Sequence, residues 1–176
     1  MTCDLSPTIN IARHLQRLVQ PIYDQAAKSI TFFKGTDAID ALELYAQKGY
    51  LRSNTVFITI YINDLCTIFP HDYMIQALEY FLNIYLPTRQ IQGITIETLL
   101  ELVRLVLRNQ IFFYQNGLYQ QTKGCAFGSP LAFLLADICM FYWQKNLVNK
   151  LVEKNELFGR YNIIYHLFFI VSHSIL

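Results

Sequence analysis

Two short stretches of the sequence carry residue types from which a reaction centre could be built. Asp64 follows an apolar stretch at residues 55–62, and a carboxylate at a strand end is a common way to hold a divalent metal ion. A loop at residues 123–129 contains two glycines, which permit close backbone approach. Its last residue, Ser129, begins a helix whose backbone N–H groups could face an anion. The sequence therefore offers one candidate metal ligand and one candidate anion-binding loop.

Each candidate also has a structural interpretation. In the pair Asn63 and Asp64 the carboxylate can simply cap the turn into the next segment, because Asn and Asp favour such turns. The glycine loop can be no more than a connector that needs glycine for its turn. His71 and Asp72 are typical of residues that begin a helix. The remaining histidines, His14, His166 and His173, have no partner at ligand spacing.

Aromatic side chains cluster around the pair Asn116 and Gly117, whose residue types accept the positive φ angles of a two-residue hairpin turn. The sequence predicts a β-hairpin with strands on either side of that pair, within residues 111–122. The aromatics on it could stack on nucleic-acid bases, but cross-strand pairing is the favoured role. They are Phe112, Phe113, Tyr114 and Tyr119.

Helices and strands are predicted on both sides of this hairpin. Apolar residues at helical spacing predict a first helix at residues 8–19, stopped by Pro21. A second follows residues 35–36 and ends at Gly49 as its C-cap. Residues 55–62 are rich in β-branched and aromatic residues on both parities, which indicates a central strand buried on both faces.

The second half is predicted to continue with helices and a last strand. Helical periodicity predicts helices at residues 73–85 and 94–107, the latter capped by Thr95. Pro130 suits a first helical position, and a long helix should run from it to about residue 154. A β-rich apolar strand follows at residues 159–171. Mixed rather than alternating elements indicate an α+β fold.

Composition bounds the function. The 176 residues suit one domain, with 53% hydrophobic residues, 15% charged residues and a net charge of +1, so no global basic field indicates nucleic acid. The cysteines lack zinc-site spacing and are predicted to be reduced, intracellular thiols. We predict no signal peptide and no membrane segment. The cysteines are Cys3, Cys66, Cys125 and Cys139.

The motifs, taken in order, resemble the reverse transcriptases of Penelope-like retroelements, a branch of the polymerase family related to telomerase. Residues 59–70 resemble the first palm motif of that family, with its Leu-x-Thr-x-x-Pro pattern. Residues 113–130 resemble the hairpin and the glycine-rich second motif, and residues 157–161 resemble the approach to the third motif. Residues 32–55 resemble the lead-in from the fingers region.

The resemblance implies where metal-binding carboxylates belong. The family holds two Mg²⁺ ions with an Asp from the first motif and an Asp pair from the third. Here those positions are Tyr61, Ile163 and Ile164, while Asp64 is the acidic residue retained in the first motif. Placing Asp64 in the metal position would shift the Leu-x-Thr-x-x-Pro pattern by three residues. Since no Asp or Glu follows Glu156, the third motif lacks its carboxylates in any register.

The resemblance also implies contacts to template and nucleotide. Cys66 falls where the family commonly has an aromatic residue that senses the sugar 2′-position, and Cys125 replaces a usual glycine. The residues expected to contact template or nucleotide are Cys66, Lys123, Gly124, Ala126, Gly128, Ser129 and Pro130.

These observations predict an α+β polymerase fragment, with fingers at residues 1–54 and a partial palm at 55–176 containing a small antiparallel sheet backed by helices. By resemblance the family activity is RNA-directed DNA synthesis, and this copy is expected to be a truncated, catalytically dead form that holds no Mg²⁺ and needs no small-molecule cofactor. Its partner would be an RNA or DNA template-primer, and its location the nucleus. Two alternatives remain: a nucleic-acid-binding remnant using Lys123, Arg52 and Arg160, or a fragment without function.

Overall fold

The computed structural model describes residues 7–126, 128–161 and 166–172. It confirms a mixed α+β fold, and the described residues form two compact units. The first takes in the chain up to Ala26 and the segment Asp64–Tyr142; the second takes in Ala27–Asn63 and the chain from Trp143 onward. The predicted boundary between fingers and palm near residue 54 stays a prediction.

The first unit is mostly helical. Its helices are α1 (Ile9–Ala27), α3 (Leu65–Ile68), α4 (His71–Tyr85), α5 (Ile96–Arg108) and the part of α6 (Pro130–Glu153) that precedes Trp143. Two hairpins complete it, β3 (Gln90–Ile91) with β4 (Ile94–Thr95) and β5 (Ile111–Tyr114) with β6 (Gly117–Gln120). Helix α5 shows why it folds: six apolar residues recur at helical spacing and form one buried face. They are Ile96, Leu99, Leu100, Val103, Val106 and Leu107.

The second unit is built on a four-stranded sheet. Its strands are β1 (Thr31–Phe32), β2 (Thr55–Tyr61), β7 (Leu157–Tyr161) and β8 (His166–Ser172), in the order β1-β7-β8-β2. The predicted antiparallel pairing is found for β7 with β8 and β8 with β2, whereas β1 pairs with β7 in parallel. Helix α2 (Gly35–Gln47) belongs to the same unit and ends as predicted, with Gly49 at a φ of 76°.

The prediction that Pro21 ends the first helix is wrong, since α1 continues to Ala27 with Pro21 inside it. Proline removes one backbone hydrogen bond and costs about 3 kcal/mol in a helix interior. The buried face nevertheless continues past it, because Val19, Tyr23 and Ala27 are spaced four apart and each is at most 2% exposed. Burial of that face outweighs the local penalty.

The strand predicted to be central lies at an edge of the sheet. Strand β2 pairs with β8, and Phe57, Ile60 and Tyr61 are exposed. Apolar residues on both parities reflect the β-propensity of branched and aromatic side chains here, not burial on both faces. Position in a sheet depends on strands far away in sequence, which periodicity within one strand does not reveal.

The hairpin is confirmed, but its turn is shifted by one residue. Tyr114 pairs with Gly117, so Gln115 and Asn116 are the turn residues, with φ of 44° and 62°. This register sets Phe112 opposite Tyr119, and their rings stack with centroids 5.6 Å apart. An aromatic cross-strand pair of this kind outweighs the local preference for Gly in the turn.

The single strand predicted at residues 159–171 is two strands. Strands β7 and β8 run antiparallel, with Tyr161 paired to His166. Residues 162–165, which connect them, lie outside the described residues. After Gly159 no Gly or Pro signals a reversal, so the residues alone predicted one strand, although the resemblance implied a hairpin here.

Candidate functional site

The glycine loop is hydrogen-bonded to the last residues of the first motif. The Gly124 amide donates to the Phe69 carbonyl at 2.8 Å, and the Cys125 amide donates to the Cys66 carbonyl at 2.7 Å. His71 Nε2 lies 2.8 Å from the Gly124 carbonyl oxygen. The two motifs, more than fifty residues apart in sequence, therefore lie side by side in the first unit.

Gly124 is required by this contact. Its φ is +72°, and a Cβ at this position would lie 2.3 Å from the Thr67 Cα and 2.5 Å from the Cys66 carbonyl oxygen. Because both obstacles are backbone atoms, no side-chain rotation relieves them. The glycine serves close backbone approach, which is one of the two roles the sequence indicated.

Gln110 fixes the loop from its other side. Its Oε1 accepts the Ala126 amide at 2.7 Å, and its Nε2 lies 3.2 Å from Cys125 Sγ. Its carbonyl accepts the Gln121 amide at 2.8 Å, and the residue is 5% exposed. Sequence reasoning missed Gln110, because nothing marks a glutamine at a strand entrance as a loop support.

Replacing Gln110 with leucine should lower the free energy of unfolding by about 1–3 kcal/mol, since the Ala126 amide loses its acceptor. Gln120→Leu is the control: it also removes a side-chain hydrogen bond, in this case one donated to the Arg108 carbonyl, but at an exposed position. Urea unfolding of both variants checks this. Equal losses for both would show that Gln110 is not a special support.

The predicted template-contact residues fall into exposed and buried groups. Lys123 and Gly128 are exposed, and Gly128 has a φ of 87°. Ala126 and Pro130 are partly exposed. Ser129 is buried and its amide donates to the Ala126 carbonyl.

Cys66, predicted at the sugar-sensing position, is 3% exposed and packed inside the first unit. Access to a nucleotide would require its exposure. The predicted contacts to template and nucleotide remain predictions.

Tyr61, one of the three predicted metal-site positions, lies at one end of the sheet in the second unit. Tyr61 ends β2 and pairs with His166, the first residue of β8, which pairs with Tyr161, the last residue of β7. Residues 162–165, which include the predicted positions Ile163 and Ile164, lie outside the described residues. The assignment of the first and third motifs to a metal site stays a prediction.

The donor chemistry at this sheet end does not fit Mg²⁺. Tyr61 is 57% exposed and offers a phenol where carboxylate oxygens are needed to hold a divalent ion. Within the described ranges, no group of three or more His, Cys, Asp or Glu side chains is arranged to hold a metal.

Asp64 begins α3, a short helix that sequence analysis missed. Its φ of 51° is left-handed, and its carbonyl accepts both the amide and the hydroxyl of Thr67, at 2.7 and 2.9 Å. Its side chain is exposed and does not cap the helix. The carboxylate thus has no capping role, although the residue stands at the cap position.

Arg160, one of three basic residues in the nucleic-acid-binding alternative, is an interior residue. It is 4% exposed, its Nε donates to Thr31 Oγ1 at 3.3 Å, and burial lowers the pKa of its guanidinium to about 10. Arg160 lies on β7, which has β1 on one side and β8 on the other. Its expected template contact is therefore wrong, whereas Arg52 and Lys123 are exposed.

The fold described above is reverse-transcriptase-like, because it resembles the fold of solved telomerase structures. Apo telomerase from Candida tropicalis truncated from its C-terminal domain matches with a TM-score of 0.72 at 11% identity, over 96% of this chain and 35% of that one. Apo telomerase from Candida tropicalis matches with a TM-score of 0.69 at 12% identity, over 98% and 33%.

Telomerase from Candida albicans in complex with a fragment of telomeric RNA matches with a TM-score of 0.66 at 11% identity, over 96% of this chain and 30% of that one. The chain thus spans about a third of the length of these proteins. Neither a protein-family model nor a curated protein matches the sequence. In the part of the chain that the structure describes, no helix is long and apolar enough to cross a membrane.

Proposed function

We propose that this chain is a reverse transcriptase domain of the Penelope-like type that binds a nucleic-acid template but does not polymerise. The observation that carries the proposal is a contrast between two sites. The glycine loop keeps its bonded arrangement at Gly124 and Cys125, while Tyr61 stands at the sheet end where a metal-binding Asp is expected.

Loss of chemistry follows from the donor set. Two-metal nucleotidyl transfer requires ions about 4 Å apart, and several negative oxygens must hold them. Tyr61 supplies a hydroxyl group in place of a carboxylate, and isoleucines at 163 and 164 supply no side-chain oxygen. The chain is therefore proposed to need no Mg²⁺.

Retained binding is supported by the exposed part of the glycine loop. Lys123 and Gly128 face solvent, where the ammonium group can neutralise a phosphate and the glycine admits a close backbone. Two of the structural neighbours, telomerases from Candida albicans and Candida tropicalis, were solved with a fragment of telomeric RNA. An RNA or DNA template-primer is the proposed partner.

Primer extension tests the proposal. The native chain should give no extension product on a primed RNA template with Mg²⁺ or Mn²⁺, yet bind that template with an affinity that falls as salt rises. A variant carrying Tyr61→Asp, Ile163→Asp and Ile164→Asp should regain extension if the scaffold is otherwise intact.

The same three positions changed to Asn provide the control, because they add polarity without charge and should not restore extension. Extension by the native chain would contradict the loss of catalysis. Absence of template binding would contradict the retained function.

A further inference from the structure

A half-open cavity of about 270 Å³ lies in the first unit, and its lining includes Pro70 of the first motif and Thr122 of the second. Its floor is apolar, formed by Ile75 of α4 and Leu107 of α5, which are 5% and 1% exposed. Its rim is polar and comes from three places in the chain: the start of α4, the last turns of α5, and Thr122, which lies just after the β5–β6 hairpin.

Two guanidinium groups dominate the rim. Arg104 and Arg108 are four residues apart on α5, so they project from the same helix face and rise about 6 Å along its axis. Thr122 adds a hydroxyl group, and Asp72 adds the one carboxylate of the lining. The lining itself therefore carries two guanidinium groups against one carboxylate.

The ion pair of Arg104 leaves it able to bind another anion. Its Nη1 donates to Glu101 Oε1 at 2.6 Å, but the Glu101 side chain is 69% exposed. A pair between residues three apart on a helix surface is weak and screened by salt. A phosphate entering the cavity can compete for this guanidinium.

We infer that this cavity binds phosphate groups of a nucleic-acid strand. Guanidinium groups match phosphate oxygens with two parallel hydrogen bonds, which makes arginine the residue best suited to phosphate recognition. The Thr122 hydroxyl can donate a further bond. For its ligand the inference rests on the proposed function, but it places a contact at a site which that function does not use.

The continuity of the cavity with the glycine loop favours a strand over an isolated phosphate. Lys123, which follows Thr122, forms a β-bridge with Pro70 of the cavity rim. His71, also on the rim, is hydrogen-bonded to the Gly124 carbonyl. The arginines of α5 and the exposed Lys123 are therefore connected through the cavity rim. Successive phosphates of one strand can contact these side chains in turn.

Binding of a fluorescent single-stranded RNA by the full chain, measured across a salt series, tests the inference. The double variant Arg104→Gln and Arg108→Gln should bind about 10-fold more weakly, and its log–log salt slope should fall by about 0.7 for each phosphate that is no longer neutralised. Arg17→Gln, an exposed arginine of α1 outside the cavity lining, is the matched control and should bind like the native chain. Equal urea midpoints would show that all variants are folded.

A Lys123→Gln variant separates this inference from the proposed function. If Lys123→Gln binds like the native chain while the arginine variant is weakened, the loop contact fails and the cavity stands. If only Lys123→Gln is weakened, the cavity assignment is overturned. Titration with inorganic pyrophosphate identifies the source of the phosphate: saturable binding that disappears in the arginine variant, without any RNA binding, would overturn assignment to a strand.

Discussion

Gly124→Ala should destabilise the first unit by about 3 kcal/mol or more, which is among the largest effects of a single methyl group. The added Cβ would lie 2.3 Å from the Thr67 Cα in a backbone with φ of +72°. To relieve this clash the glycine loop must move away from residues 66–69. That movement would break the hydrogen bonds from the Gly124 amide to Phe69 and from the Cys125 amide to Cys66. Urea unfolding, with RNA binding measured in parallel, checks the loss.

Gly93→Ala isolates the steric part of this effect. Gly93 also has a positive φ, +80°, but nothing lies within 4 Å of the position its Cβ would take. Only conformational strain of about 1 kcal/mol is expected there. Similar losses at both glycines would show that the close approach at Gly124 relaxes easily, and would remove the argument that the two motifs are held together by it.

Asp137→Asn should stabilise the protein and flatten its dependence on pH. Asp137 lies on α6 and is 7% exposed. Burial, with a smaller contribution from the charge of Asp24 on α1, raises the pKa of its carboxyl from 3.8 to about 8. The folded protein therefore prefers the neutral carboxyl, and an amide of similar shape does not ionise.

Because the pKa is higher in the folded state than in the unfolded chain, the stability associated with this proton is complete below pH 3.8 and is lost progressively as pH rises through about 8. Each pKa unit corresponds to ~1.4 kcal/mol, so the rise of the pKa from 3.8 to about 8 should make the Asn variant more stable at pH 8 by about 5 kcal/mol. Near pH 5 the difference should be smaller. Urea unfolding at several pH values measures both.

Asp24→Asn is the control for Asp137, since it removes only the lesser cause of the raised pKa. Its stability should therefore keep most of the native pH dependence. Parallel stability curves for the native chain and Asp137→Asn between pH 5 and 8 would contradict a buried carboxyl that releases its proton in this range.

Local chemistry decided several elements in advance. Thr95 accepts the Thr98 amide as the N-cap of α5, and Gly49 follows α2 with a left-handed φ, both as the residue types predict. Pro130 begins α6. Each of these helix ends depends on residues within about one helical turn, and those residues can be read directly from the sequence.

Long-range contacts decided those features that local patterns left open or predicted wrongly. Helix α1 passes through Pro21 because Tyr23 and Ala27 are buried beyond it. Stacking of Phe112 on Tyr119 accompanies a hairpin register that differs from the one Asn116 and Gly117 predict. In each case burial or pairing with a distant partner outweighs a preference worth a few kcal/mol at most.

By itself, the sequence determined the mixed α+β class, the order of motifs and the absence of carboxylates after Glu156. Only the tertiary structure placed Tyr61 beside His166 at the sheet edge, buried Arg160, and brought Gly124 against the backbone at Thr67. The physical reason is range. Residue type and spacing act over a few positions, whereas these placements depend on which strands and loops share a core.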